Sequence, residues 1–361
     1  MKFRLLGVAL SVALLGIAGV GTVFSAEVEK EDCFYLKSLH YTAAGMEYWY
    51  SEENGGLEQL TGVPYDDLGC KNCHAGCCDR CHKVERKEKD CTFYEYSTDA
   101  ASKQKMCLAC HGREGAMIRI NHKTGNEDVH LSMGMVCVDC HSGRELHGDG
   151  TSYVSLKQPG AMDTQCENCH DDLKATESHT VHNGRLDCKA CHIRHVVSCT
   201  NCHFDTMVKE GKRKAIPVSG WVFLMNYEDK VTSASMQTFV VGKDKTFLIF
   251  APHMSHAVMK EGRSCDGCHA TDIMEQVNGG SLVLTELEDG NVVNTKGVIP
   301  VVDEVNYRCV YLDRDKNGEW VPIEHPAEPI RQYVAFGKTL TPDQIEKMTK
   351  EQKAPPPRMG D

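Results

Sequence analysis

One pentad, Cys-x-x-Cys-His, recurs eight times: CKNCH at 70–74, CDRCH at 78–82, CLACH at 107–111, CVDCH at 137–141, CENCH at 166–170, CKACH at 188–192, CTNCH at 199–203 and CDGCH at 265–269. These pentads take sixteen of the 20 cysteines and eight of the 18 histidines. A bare Cys-x-x-Cys is ambiguous between zinc, a redox dithiol and haem. A histidine directly after every pair removes most of that ambiguity. On a short helical turn two cysteines three apart present their sulfurs to one edge of a porphyrin, and the next residue aims its imidazole at the iron. Zinc needs four ligands converging from two pentads and leaves the eight histidines without a consistent task. A disulfide across two residues is a reactive dithiol rather than a structural bridge.

Each pentad is therefore read as the attachment site of one haem c. The linking cysteines are Cys70, Cys73, Cys78, Cys81, Cys107, Cys110, Cys137, Cys140, Cys166, Cys169, Cys188, Cys191, Cys199, Cys202, Cys265 and Cys268. The proximal ligands are His74, His82, His111, His141, His170, His192, His203 and His269. Intervals of 8 and 11 residues separate His74 from His82 and His192 from His203. Even an extended chain covers only about 3.3–3.6 Å per residue, so these two pairs are expected to serve neighbouring haems.

Ten histidines lie outside the pentads, enough to give every iron a second imidazole. Closing both axial positions favours electron transfer over substrate binding. The expected second ligands are His40, His122, His130, His147, His179, His182, His253 and His256, with His195 in reserve and His325 left out. His130, His182 and His256 each precede a pentad by six to nine residues with a glycine between. HTVH and HMSH put His179 and His182, and His253 and His256, three apart, on one face of a helical turn, so that each pair serves two adjacent haems.

On these pentads, which cover residues 70 to 269, the chain resembles the multihaem c-type cytochromes. It is similar to the octahaem electron carriers and, more weakly, to the octahaem enzymes that reduce tetrathionate or nitrite. The resemblance implies haems packed in near contact with the chain wrapped round them, and a histidine ahead of one pentad ligating the neighbouring haem. It also implies two functions to weigh. One is transfer between a membrane or periplasmic donor and another redox protein, a terminal reductase or an extracellular acceptor. The other is reduction of a small oxyanion such as nitrite, tetrathionate or sulfite at one open haem. The enzymes often carry lysine in place of a pentad histidine; no Cys-x-x-Cys-Lys occurs here, and transfer is preferred. Filament-forming relatives make an oligomer or polymer conceivable.

The elements that must hold these residues are sparse. Aromatics make up only 7% of the 361 residues, few for a large conventional core, and the porphyrins are expected to supply the missing apolar bulk. The start of the chain, Lys2 and Arg4 followed by an apolar run from Leu5 to about Phe24, has the layout of an export signal, cleaved near Ser25 or Ala26 or retained as an anchor. A periplasmic or extracellular protein follows, its membrane contact limited to that segment. The net charge of −11, with no basic stripe, argues against nucleic acid as a partner.

Cys33, Cys77, Cys91 and Cys309 remain, as two disulfides in any of three pairings or, for Cys77, as an axial thiolate. WVFLMNY, MQTFVVG and KTFLIF read as strands, the last two joined by Gly242-Lys243-Asp244, and SLVLTELEDGNVVNT continues the pattern. DRDKNGEWVPIE fits a calcium loop by residue type, but its strand-like flanks favour a hairpin turning at Asn317-Gly318; calcium is the lesser reading. Thr341, Pro342 and Gln344 cap a short helix. The expected organisation is a signal over 1–26, a haem domain with seven haems over 27–204, a β-rich part with the eighth over 205–335, and a short helix with a disordered tail over 336–361. In fold class this is a mostly irregular and α-helical multihaem cytochrome wrapped around its haems, with a small β-rich C-terminal part.

Overall fold

A computed structural model describes residues 33–69, 74–89, 91–173, 176–242 and 244–352. The expected signal segment, Cys70, Cys73 and the tail from 353 lie outside the described residues. Among the described residues no helix is long and apolar enough to cross a membrane.

The first lobe, up to about residue 195, is a string of short helical turns, of which Gly112–Thr124 is the longest. The turns form at the pentads themselves: Asp79–His82, Gln104–Leu108, Cys137–Cys140, Cys166–Asn168, Cys188–His192 and, later in the chain, Cys265–Gly267. The backbone N–H of the pentad histidine donates to the carbonyl of the first cysteine at 2.9 Å in His82, His111, His141 and His269 and at 3.0 Å in His170. That bond is one α-turn, and it puts both sulfurs and the imidazole on one side. A β-hairpin, β1 (Lys83–Glu88) with β2 (Cys91–Tyr96), stands off the second pentad. Among the described residues between 76 and 189 the buried apolar side chains are Met117 and Ala161, whereas Met133, Val136, Val138, Val154, Leu156, Leu173 and Val181 are exposed. Protein contacts alone give this stretch almost no core, far less than a domain of its length needs.

The second lobe has a conventional core. Its strands are β3 (Val196–Thr200), β4 (Cys202–His203), β5 (Ile216–Tyr227), β6 (Lys230–Val241), β7 (Lys245–Pro252), β8 (Ser281–Val283), β9 (Thr285–Glu288), β10 (Asn291–Asn294), β11 (Gly297–Pro300), β12 (Asn306–Arg308), β13 (Leu312–Arg314), β14 (Trp320–Pro322) and β15 (Ile330–Tyr333). Seven of them form one sheet in the order β11-β5-β6-β7-β15, with β3 on β5 and β4 on β6. β5 and β6 close through Glu228 and Asp229, both at positive φ, the turn that matches the twist of a hairpin. β6 and β7 pair from Val241 opposite Lys245, as their sequences predict.

Both faces of the sheet are covered. Along β7, Leu248 and Phe250 enter a core with Trp221, Phe223, Met236, Ile299 and Tyr307, while Phe247 and Ile249 enter a second core on the opposite face. This is the two-residue alternation of a strand. The second core is completed from the chain's beginning, by Tyr50, Leu57, Tyr65 and Leu68 against Phe204, Phe239 and Val334. Gln332 on β15 fixes that segment by donating from Nε2 to the carbonyls of Trp49 and Asn54 at 2.9 and 2.8 Å.

The fold differs from the expected division in three respects. The sheet is not small. It begins at Val196, inside the stretch assigned to the haem domain, because VVSCT is β-branched and pairs with Ile216–Trp221. Residues 50–68 belong to it by packing. The helix Pro342–Thr349 is capped as read: Thr341 Oγ1 accepts from the Gln344 backbone N–H, and the Gln344 side chain accepts from that of Thr341.

Candidate metal centres

Six pentad histidines each face a histidine from outside the pentads. The ring centres are 6.2 Å apart in His40–His111, 6.0 Å in His82–His147, 6.1 Å in His130–His170, 6.4 Å in His141–His256, 6.4 Å in His179–His192 and 6.3 Å in His182–His269. A metal–imidazole bond is about 2.0–2.1 Å long and the bonded nitrogen sits roughly 1.1 Å from its ring centre, so two imidazoles on opposite sides of one metal stand roughly 6.3 Å apart. All six separations match that spacing and exceed any direct hydrogen bond between the rings.

In six of these twelve rings the other nitrogen has a hydrogen-bond partner, whereas Nδ1 of His40 is buried without one. Nδ1–H donates to the carbonyl of Gly143 from His147 at 2.9 Å, of Met259 from His192 at 3.1 Å and of Lys347 from His269 at 3.0 Å. Nδ1 of His179 pairs with Thr176 Oγ1 at 3.2 Å. His141 donates to Glu145 Oε2 and His256 to Glu114 Oε2, both at 2.7 Å. A donor at Nδ1 leaves the Nε2 lone pair free, the tautomer a metal requires. Burial, then neighbouring histidines, pushes the pKa of His40 down, as it does that of His182, which keeps both rings neutral. Burial would raise the carboxyl of Glu114, yet the hydrogen bond with His256 holds it below the usual carboxylate range.

The cysteines line up in the same series. Cys81 is within electrostatic reach of Cys107 and Cys110, Cys137 is in hydrogen-bonding contact with Cys107, and Cys140 is near Cys169. Cys166 contacts Cys188, and Cys191 approaches Cys265 and Cys268. The pentads at 78–82, 107–111, 137–141, 166–170, 188–192 and 265–269 thus follow one another in a single row. Cys166, Glu167 and Cys188 also bring ligand atoms within 4.8 Å of one another. Zinc would want their histidines too, but His170 and His192 turn away to His130 and His179.

Two pentad histidines meet other side chains. His74 faces a phenol: Tyr65 Oη lies 3.5 Å from its Nε2. CTNCH at 199–203 is not a helical turn. Cys199 and Cys202 lie in β3 and β4, opposite Pro217 and Phe239, with Asn201 at a φ of 53° between them, and Cys202 is buried. The His203 backbone N–H donates to Lys214, not to Cys199. Nε2 of His203 bonds Asp313 Oδ1 at 2.7 Å and Nδ1 bonds Thr206 Oγ1 at 2.8 Å. In this conformation residues 199–203 do not fit a haem. Between His192 and His203 the chain turns into the sheet, and Cys191 lies near Cys265 and Cys268.

His40, His130, His147, His179, His182 and His256 each approach a pentad histidine, and the two histidines of HTVH approach different ones, His192 and His269. His122 and His253 do not. His122 ends its helix in solvent, donating to Glu127 Oε1 at 2.7 Å. His253 turns its Nε2 to Glu114 Oε1, 3.6 Å away. His195 is buried and bonded through Nε2 to Asn121 Oδ1 at 2.8 Å. Cys33, Cys77, Cys91 and Cys309 are all free thiols rather than disulfides; Cys77 is exposed. The calcium-type string forms the β13–β14 hairpin, and two of its carboxylates are engaged within the protein: Asp313 with His203, and Asp315 with the backbone N–H groups of Asn317 and Glu319. The sequence reading missed Glu114 and Glu145. Their signal is the spacing in HGRE and HSGRE, three and four residues after a pentad histidine.

Over 167 residues, 42% of the chain, the sequence is 26% identical to "Cytochrome c-552" of Haemophilus ducreyi (strain 35000HP / ATCC 700724). The likeness supports a c-type cytochrome. Haem c is the cofactor that it implies, in agreement with the pentads. The match spans about a third of that relative's length. No family model and no solved structure matches the chain.

Proposed function

We propose that the protein is an exported multihaem cytochrome that passes electrons along a row of closely spaced haems, between a membrane or periplasmic donor and another redox protein or extracellular acceptor. The observation that carries this reading is the set of six imidazole pairs at metal-ligating separation, on pentads whose sulfurs follow one another in a row. Haem c, once bound, supplies reversible one-electron chemistry. The chain's own part is to hold both axial nitrogens, fix their tautomers and keep substrates off those six metals. Of the eight haems read from the sequence, six sit between paired histidines on this reading. The seventh belongs to His74, and the eighth, at 199–203, requires β3 and β4 to open.

The phenol beside His74 favours a second reading, in which that site keeps a weakly held position and reduces a small oxyanion such as nitrite, tetrathionate or sulfite. Low-temperature electron paramagnetic resonance of the oxidised protein, with haem quantified, decides between them. Low-spin signals for every haem support a carrier. One high-spin haem per chain, lost on adding an oxyanion that also oxidises the reduced protein, supports catalysis. A protein without covalent haem would end both readings.

A further inference from the structure

The central pair of the row, His141 and His256, differs from the others. Both of its rings donate from Nδ1 to a carboxylate, His141 to Glu145 and His256 to Glu114, each at 2.7 Å. The rings of His147, His192 and His269 donate to backbone carbonyls, and that of His179 meets a hydroxyl. In the neighbouring pair only His130 has a carboxylate, Asp128, at 3.4 Å. Among the described residues no other pair carries a close carboxylate on both faces.

The carboxylates are built in. Only 2% of the Glu145 side chain is exposed and 18% of that of Glu114. The second oxygen of Glu145 accepts from the backbone N–H groups of Asp163 and Thr164 at 2.6 Å and from Thr164 Oγ1 at 2.8 Å, so the side chain cannot swing away. Glu114 is likewise shared between His256 and His253.

An anionic acceptor on a ligating histidine makes the ring a stronger electron donor, and hydrogen bonding around a haem is one of the levers that set its potential. A donor strengthened on both sides stabilises the oxidised metal over the one-electron reduced form. Building on the multihaem reading above, we infer that Glu114 and Glu145 are positioning residues that make the haem of residues 137–141 the lowest-potential site of the row. Electrons meet an uphill step in the middle. The row divides into two pools, one on the pentads at 78–82 and 107–111, the other on those at 166–170, 188–192 and 265–269.

The test is a spectroelectrochemical titration of the haem-loaded protein and its Glu114→Gln, Glu145→Gln and double variants. Glutamine keeps the shape and an acceptor oxygen but removes the charge. Each single variant is expected to raise the lowest component by at least about 59 mV, a tenfold change in a one-electron equilibrium, and to leave the others in place. Glu114→Asp is expected to restore part of the drop, and His256→Met to move the same component, which assigns it. Glu145 also braces a loop, so Glu114→Gln is the decisive variant should Glu145→Gln fold poorly. A titration unchanged in Glu114→Gln, or raised evenly across all components, overturns the inference while leaving the multihaem reading intact. Peptide mapping that finds no haem on residues 137–141 likewise overturns the inference, and only a protein without covalent haem at any pentad removes the multihaem reading as well.

Discussion

His179 and His182 lie three residues apart and face different pentads, His192 and His269, so one short turn closes two candidate metal centres. His179→Ala and His182→Ala are each expected to open one metal, seen as one high-spin haem in paramagnetic resonance with the remaining signals unchanged. Two high-spin haems from either variant would show that the turn, rather than the side chain, had been lost. The pentads and the i, i+3 spacing made this pair readable in advance. What no local pattern revealed is which partner each histidine meets: His40 faces His111 and His256 faces His141, pairings made by the tertiary path of the chain. His122 and His253 look equally suitable in the sequence. In the fold His122 stands in solvent beside Glu127 and His253 turns towards Glu114, and no local pattern separates them from the others.

At the scale of elements, the hairpins and the capped C-terminal helix follow from β-branched runs, turn residues and a capping box, all local signals. The parallel partners of β5 and β7, namely β11 and β15, arrive from far along the chain, and nothing local announces them. CTNCH shows how tertiary context outranks a motif, since β3 and β4 draw 199–203 into a sheet. Peptide mapping after denaturing alkylation tests this. With the strands as described, Cys199 and Cys202 are recovered as alkylated thiols without haem. A haem on that peptide would mean that the loaded protein folds residues 196–203 differently and that His203 has released Asp313. Trp221 is fully buried and donates from Nε1 to Ser198 Oγ at 3.1 Å, pinning β5 to β3. Trp221→Ala is expected to cost about 3–5 kcal/mol in denaturant unfolding monitored in the sheet lobe. A loss below about 1 kcal/mol would contradict the packing described.

Taken whole, the molecule joins a lobe with a core of its own to one with almost none. The scarcity of aromatics pointed to porphyrins as filling, and among the described residues of 76–189 only Met117 and Ala161 are buried apolar side chains. That reading did not foresee the aromatic packing on the sheet, where Trp221, Phe223 and Phe250 share one core with Tyr307 of β12 and Phe247 enters the core of the opposite face. Protein made without covalent haem is therefore expected to be cut readily within 76–189 under limited proteolysis while the β5–β7 hairpins persist; equal resistance of both lobes would speak against a haem-filled interior. One tie bears on the order of assembly. Gln332, on the last strand, clasps the carbonyls of Trp49 and Asn54, and the clasped segment leads back to His40, the partner of His111. That centre is therefore firmly framed only once β15 has joined the sheet, and loss of the chain from residue 330 onward would reach a histidine nearly three hundred positions away.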